Sequence, residues 1–357
     1  MSEPRASELR SLLADTVTRL FNDLATKELI ESAEKGVWPD KLWRALEEGG
    51  LTLPLVPESA GGAGGTWLDA HVVARASGRH TAPVPLAETI VAGWLLSRAA
   101  LEVPLGPLTL APVHEDERLT LARGSGGVTV SGTATRVPWG RHAGHVVTLS
   151  DVDGRVTVAL IAAGRAKIAA DTNLAREPRD TLVFDQAPVA ATAPVSGVSA
   201  DAIQLYGAMA RAAQMAGALE SCLEQAVRYA TERKQFGRPI GSFQAIQQSL
   251  AVLAGHVAAS SIAAESAFRA ADLGDARFEV AVAKVRVGEA AGIGAGIAHQ
   301  SHGAIGFTYE HSLHFATRRL WSWRAEFGSE SAWARQLGRA VVGRGADDLW
   351  NLLTERP

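Results

Sequence analysis

The chain has 357 residues with a formal net charge of −3, from 35 Lys and Arg against 38 Asp and Glu. That balance excludes a nucleic acid or an anionic membrane surface as the main partner. At 47% hydrophobic residues the chain can bury a sizeable core in two or three domains, and its single cysteine, Cys222, rules out a disulfide framework.

The N-terminus, MSEPRASELRSLLADTVTRLF, is charged and lacks an apolar signal core. No run of eighteen apolar residues occurs, so the sequence predicts no membrane span and a cytoplasmic protein. Residues 1–108 read as helical. LRSLLADTVTRLF and KLWRALEEGG carry apolar residues at three- and four-residue spacing. The turn-rich LTLPLVPESAGGAGGTW follows. Its glycines invite a phosphate-loop reading, but no strand-to-helix context and no Lys-Ser/Thr pair accompanies them, so they read as a connection. LDAHVVARASG and LAETIVAGWLLSRAA are two further helices, separated at Pro83 and Pro85.

Over residues 109–196 the period changes. GGVTVSGTATRV, HVVTLSD, RVTVALIAA and DTLVFDQA alternate or run apolar over short stretches between Gly, Asp and Pro. They predict an antiparallel β domain, a small barrel or sandwich. Over residues 197–357 the helical period returns. Met209, Ala213, Ala216, Leu219, Leu223, Ala226 and Ala230 mark one face of a long helix. A second helix starts near Ser242. A third, from near Phe278, contains GEAAGIGAGIAH, whose small residues predict close helix approach in an antiparallel four-helix bundle. The predicted fold is thus α+β and multidomain: helical, then β, then helical bundle.

Between the first two long helices stands ATERKQFGRPIGSFQAIQ. A turn needs only Gly237 and Pro239. The surrounding Arg, Gln and Phe require another explanation. Alone, Arg233 reads as a solvated charge at a helix C-terminus. With Gln235, Phe236, Pro239, Phe243 and Gln244 the stretch resembles the acyl-CoA dehydrogenase signature R-x-Q-F-G-x-P-I followed by F-Q-A-I-Q. LWRALEEGGLTLPLVPESAGGAGGTWLDA is similar to that family's N-terminal helical domain. QSHGAIGFTYEHSLHFATRRL is similar to its C-terminal Q-x-x-G-G-x-G-F segment. The resemblance spans nearly the whole chain, specific in the last third and weak in the middle.

The resemblance implies a three-domain fold and a reaction in which FAD takes a hydride from an acyl-CoA thioester while a carboxylate removes the α-proton. It further implies that Arg233, Gln235, Phe236 and Gln244 touch the FAD of a neighbouring subunit, with Gln300, Gly303 and Ala304 lining its adenine and phosphate end. Ala304 stands where the family has a second glycine. The histidine pairs His299/His302 and His311/His314 lack the carboxylate or cysteine company that a metal site needs.

Two departures matter. Most members place the catalytic glutamate just before the glycine of a Y-E-G-T-S stretch. In the matching SWRAEFGSESAW that position holds Phe327, which takes no proton, and Glu326 is one residue off. Other members carry the glutamate early in the first long C-terminal helix, here at about Gly207, with Asp201 displaced along the helix. The T-E-P-x-A-G-S-D loop and W-I-T-N strand that pack on the flavin are also missing, and Trp139 in TRVPWGRHAGHVV is their one echo. Such short members resemble the partner subunits of heteromeric acyl-CoA dehydrogenases, including those acting on steroid CoA thioesters. The expectation is a homo- or hetero-tetramer with a second acyl-CoA dehydrogenase subunit, in which this chain supplies cross-subunit contacts. The alternatives are a self-sufficient enzyme using Glu326 or Asp201, and a flavin-free binding or structural relative.

Overall fold

The computed structural model describes residues 3–355. Five helices open the chain: α1 (Glu3–Leu24), α2 (Lys27–Glu34), α3 (Asp40–Glu48), α4 (Trp67–Arg79) and α5 (Leu86–Arg98). The GGTW stretch starts α4. Thr66 and Asp69 close a reciprocal capping box there. The carboxylate of Asp272, near the end of a later helix, accepts from the Trp67 and Leu68 amides at 2.7 and 3.1 Å. That places negative charge at the positive end of α4.

The middle region holds β1 (Leu108–Leu110), β2 (Thr120–Gly124), β3 (Gly127–Pro138), β4 (His145–Val152), β5 (Arg155–Ala162), β6 (Lys167–Ala169), β7 (Arg179–Pro188) and β8 (Ala191–Pro194). They form two four-stranded sheets, ordered β1-β4-β5-β8 and β2-β3-β7-β6. Val146 and Ile161 of the first sheet share a core with Val130, Val137, Leu182 and Phe184 of the second. Of the two predicted forms, the sandwich is therefore the one observed, and the barrel is not closed. The sheets are not wholly antiparallel, because β1 runs parallel to β4. The first sheet is also buried on its far side, where Val147, Leu149, Val158 and Leu160 join the helical core. Burial on both faces is what turns HVVTLSD and RVTVALIAA into continuous apolar runs.

The chain then forms α6 (Ala202–Glu232), β9 (Lys234–Gln235), β10 (Arg238–Pro239), α7 (Gln244–Leu273), α8 (Arg277–His302), α9 (Leu313–Trp323), α10 (Glu330–Arg344) and α11 (Leu349–Thr354). Three long helices make the bundle. The expected fourth is divided between α9 and α10, because Phe327 and Gly328 adopt left-handed φ values of 52° and 89° between them. The predicted apolar face of α6 is buried, but so is its opposite side: Gly207 through Glu220 are buried without interruption. α6 is the central helix, packed by α4, α7, α8 and α9.

By length and composition α7 is apolar enough to cross a membrane, which the sequence reading did not anticipate. In the fold its inner residues Leu253, Val257, Ala264 and Phe268 lie in the bundle core. Gln247, Gln248, His256 and Ser261 interrupt its apolar sequence.

Two features hold the parts in register. Where α4 crosses α6, a Cβ at Gly217 would meet the Arg75 carbonyl oxygen at 2.0 Å, and one at Gly78 the Gln214 carbonyl oxygen at 1.9 Å. Between the β region and α9, the buried Glu177 carboxylate bonds Arg179 Nη2 at 2.9 Å and pairs with Arg319 Nε at 3.0 Å. It also accepts from Trp323 Nε1 at 2.8 Å and Asn173 Nδ2 at 2.9 Å. Burial pushes this carboxyl up, but Arg319, Arg179 and Arg211 outweigh that and bring it down to about 2.

Gly217→Ala is expected to cost about 1–3 kcal/mol in chemical denaturation by overpacking the crossing. Gly338→Ala, with nothing within 4 Å of its Cβ, is the helical control that keeps wild-type stability or gains slightly. A depressed carboxylate contributes stability that is complete above its unfolded value and lost as pH falls through its folded one. Glu177 therefore stabilises the fold fully above its ordinary 4.5, and that contribution fades toward pH 2. Glu177→Gln should lose about 3–5 kcal/mol at neutral pH, since it leaves buried arginines unbalanced. Its stability should also fall less steeply than wild type from pH 4.5 to 2, measured by denaturant titration at each pH.

Candidate functional site

The arginine turn is a tight hairpin. Arg233 ends α6 in extended conformation, and its carbonyl accepts from the Ile240 amide at 2.8 Å. β9 pairs antiparallel with β10, Gln235 opposite Arg238. The two residues between them, Phe236 and Gly237, both take left-handed φ values of 51° and 79°, as a two-residue hairpin of the inverse-turn kind requires. A phenylalanine is costly at that position. Its ring is 91% exposed and touches Phe243 edge-on at 6.2 Å. The strain is met and the ring held out without any burial inside this chain.

The turn and the Q-S-H-G-A segment meet. Arg233, Gln235, Phe236, Gln300, Gly303 and Ala304 line one groove between the end of α6, the hairpin, the start of α7 and the end of α8. Gln244, the first residue of α7, is exposed and lies outside its lining. Sequence reasoning missed Tyr229 and His302, which line the same groove and stack at 4.7 Å. Tyr229 stands one helical turn before Arg233, a spacing that would have found it. His302 donates from Nδ1 to the Ala298 carbonyl at 2.7 Å, and its buried Nε2 has no partner. Burial holds the ring below its usual range, so it is neutral. The Arg233 guanidinium makes no ion pair or side-chain hydrogen bond among the described residues. Gly303 turns the chain at a φ of 65°, and a Cβ there would meet nothing. A free cation and an open glycine turn fit the phosphate end of a dinucleotide, whereas the unmet His302 nitrogen can only accept, so it suits a hydroxyl or amino donor of the ligand and not a phosphate oxygen.

The two positions that the sequence resemblance assigns to the base, Gly207 and Phe327, also meet, and both are apolar. The Phe327 ring lies so close on Gly207 that a Cβ there would touch it at 2.4 Å. Phe327 is 3% exposed. Beside it, the space among Ala87, Glu88, Leu110, Gly207, Ala210, Arg211 and Phe327 has no room for a water-sized group.

Glu326 joins a cluster of buried charges, of which Glu88 and Arg211 also border that space. It takes two bonds from Arg179, at 2.7 and 3.1 Å, and pairs with Arg211 at 2.9 Å. Arg211 reaches Glu88 of α5 at 2.5 Å and Gln214 on its own helix, and lies over the Trp323 ring at 5.4 Å. Burial raises the Glu326 carboxyl, but Arg179 and Arg211 outweigh it and the net shift is downward. A carboxylate so held is a poor proton acceptor. Lys284 beneath it donates to the Glu326 carbonyl at 2.8 Å, and burial with Arg211 nearby lowers its amine to about 7. The cluster ties α5, β7, α6, α9 and the loop before α10 together. Each member looked ordinary in sequence, although a lone Arg211 inside the apolar run LYGAMARAAQMAG is the signal that could have exposed it.

Asp201, the other candidate base, begins α6 and forms a two-pronged pair with Arg277 at 2.5 and 2.7 Å. That hydrogen bonding lowers its carboxyl. It lines a separate cleft with His114, Glu117 and Gln204, more than a helical turn before Gly207. Trp139 is buried between the helical and β regions, edge-on to Trp38 at 6.4 Å. Cys222 is fully buried, and burial pushes its thiol up to about 12.

Comparison with known proteins bears on these arrangements. Residues 7–102 match the model for the acyl-CoA dehydrogenase N-terminal domain, and residues 198–342 that for the acyl-CoA dehydrogenase C-terminal domain. The chain is 30% identical to the acyl-CoA dehydrogenase IpdE2 of Mycobacterium tuberculosis over 96% of its own length and 98% of that protein. It superposes on a chain of the ChsE4-ChsE5 complex from Mycobacterium tuberculosis with a TM-score of 0.86 and 27% identity, covering 96% of this chain and 98% of that one. A chain of the Tcur3481-Tcur3483 steroid ACAD G363A variant gives 0.87 and 25%, covering 96% and 99%. With both domain models matched and the likeness running through the β region, the chain belongs to the acyl-CoA dehydrogenase family, as a subunit of an oxidoreductase of that kind.

Proposed function

We propose that this chain is the partner subunit of a heteromeric, FAD-dependent acyl-CoA dehydrogenase: it lends its arginine turn to a cofactor seated mainly in a second, catalytic subunit. The observation that carries this reading is the contrast between two places in one chain. Where the family would carry its base, Phe327 covers Gly207 and leaves no space beside it. At the hairpin, Arg233 is unpaired and Phe236 is exposed in a strained conformation, with Gln300 and Gly303 opposite. Strain persists where the surroundings or a function require it, and nothing inside this chain requires it at Phe236.

The roles follow from the chemistry of the groups. FAD, when bound, supplies the hydride acceptor. Arg233 neutralises phosphate charge in the groove, the Gln235 and Gln300 amides offer donors and acceptors, and Phe236 covers an apolar part of the junction. The second subunit supplies the carboxylate base and the acyl cavity. Two of the structural relatives come from complexes of two named proteins, which supports a heteromer over a homomer. The steroid ACAD among them supports a bulky, polycyclic acyl-CoA as the substrate class.

Purified alone, the chain is expected to be colourless and inactive. Co-purified with a catalytic acyl-CoA dehydrogenase subunit from the same organism, the complex should hold one FAD for each pair of chains. Arg233→Ala should weaken FAD retention by the complex about 10- to 100-fold, the loss of a charged hydrogen bond worth about 1.5–3 kcal/mol, read by flavin absorbance after dialysis. One FAD per chain in a homomer that oxidises acyl-CoA would reject the proposal.

A further inference from the structure

A second groove, of about 610 Å³, adjoins the cofactor groove at Gln300 and Gly303, which line both. Two helices present one stripe each to it. Gly296, His299, Gln300 and Gly303 of α8 recur at the three- and four-residue spacing that puts side chains on one face. So do His314, Thr317, Arg318 and Trp321 of α9. The α8 stripe is low at both ends, since a Cβ on Gly296 or Gly303 would enter open space. The walls are apolar. Leu174 from the loop before β7, Phe307 and Tyr309 from the segment between α8 and α9, and Trp321 are each more than half exposed. Flat rings gathered in a concave place are the usual lining of a small-molecule site, unlike scattered apolar exposure.

The rings are fixed by this chain's own contacts. Phe307 stacks on His299 at 4.1 Å, and Arg176 donates to Tyr309 Oη at 3.0 Å. Two polar atoms of the lining remain unmet. His314, only 8% exposed, donates from Nδ1 to the His311 carbonyl at 2.7 Å, which leaves its Nε2 a bare acceptor without a partner. His299 bonds Thr317 Oγ1 through Nε2 at 2.9 Å, and its buried Nδ1 has no partner either. Burial holds both rings below their usual range, so they are neutral. Among the described residues of the lining only Arg318 is charged, and Glu34 of α2 accepts from it at 2.6 Å.

We infer that this groove binds a neutral, rigid polycycle carrying a hydroxyl, with the rings against Trp321, Tyr309 and Phe307 and the hydroxyl donating to His314 Nε2. Each property follows from the lining. Aromatic walls favour a flat ring system over a flexible chain, which loses more freedom on being fixed. With Arg318 already paired, nothing in the groove neutralises a phosphate, so the CoA part of a thioester has no counterpart here. A buried acceptor left unmet is costly, and a ligand hydroxyl meets it. The ligand is thus a free polycyclic alcohol and not the acyl-CoA substrate. Arg233 and its hairpin take no part, so failure of this inference leaves the proposed function standing.

Estrone, a four-ring compound with a single hydroxyl, is the probe. Tritiated estrone dialysed against the purified full-length chain should be half bound at tens of micromolar chain, the affinity class of about twenty heavy atoms in such a groove. Its methyl ether lacks the donor and should bind about 10-fold more weakly. Its sulfate, an anion, should bind no better than the ether. Gly296→Leu fills the groove from an open position on α8 and should abolish binding with no fall in melting temperature. Trp321→Ala removes an exposed wall and should weaken binding several-fold. The chain in complex with a catalytic subunit should bind estrone as the free chain does. Estrone left unbound by the native chain would overturn the inference. So would equal affinity for estrone and its ether, or undiminished binding by either variant. Binding that vanishes in the complex would overturn it too, by making the groove part of the contact between subunits.

Discussion

The structure depends on a group of charges that cannot be separated. Arg179, Arg211 and Arg319 are buried with Glu88 and Glu177, and the partly buried Glu326 joins them, at the place where the first helices, the sandwich and the bundle meet. These side chains pair with one another there, and Trp323, Asn173 and Gln214 bond to them, while Glu88 Oε2 and Arg211 Nε keep no hydrogen-bond partner. An incomplete set would leave a buried charge without compensation, a cost of several kcal/mol. The cluster therefore fixes how the three regions sit, and through that the path of the loop carrying Glu326 and Phe327. Because Glu326 is committed to the arginines, Phe327 turns in left-handed conformation onto Gly207.

Closure at one place and openness at another are consequences of the same arrangement. The charge cluster and the Phe327 ring occupy the interior beside Gly207, the position expected for the base. The bundle end, some turns away along α6, keeps a groove with a free guanidinium, an unmet ring nitrogen and a glycine turn. A protein that had merely lost its chemistry would have no physical reason to keep the strained Phe236 hairpin. The division proposed for the heteromer explains both ends with one chain: the interior is stabilised by its own side chains in place of ligands, and the surface remains available to a ligand of another chain.

Much of this was legible in sequence, for definite reasons. The order of helices, strands and helices followed from a change of period, and the arginine turn from residue types that a simple turn does not need. That the expected base position holds no carboxylate was legible because Phe327 cannot accept a proton at any geometry. What stayed hidden depends on distance in sequence. The partners of Arg211 lie at Glu88 and Glu326, far along the chain in both directions, so only the oddity of an arginine in an apolar helix pointed to them. The parallel pairing of β1 with β4 left no mark, since a three-residue strand carries no period. The divided fourth helix depended on Phe327 taking a conformation usually reserved for glycine. Of the proposed cofactor residues, those on the hairpin and at the end of α8 converge, while Gln244, exposed at the first turn of α7, stays outside the groove.

The central claim concerns which chain holds which half of the cofactor. The most direct measurement is the structure of the chain in complex with its catalytic partner and FAD. The account predicts the pyrophosphate within hydrogen-bonding reach of Arg233 and the isoalloxazine inside the partner, with Phe327 still lying on Gly207. An isoalloxazine seated within this chain, between its own sandwich and bundle, would contradict it.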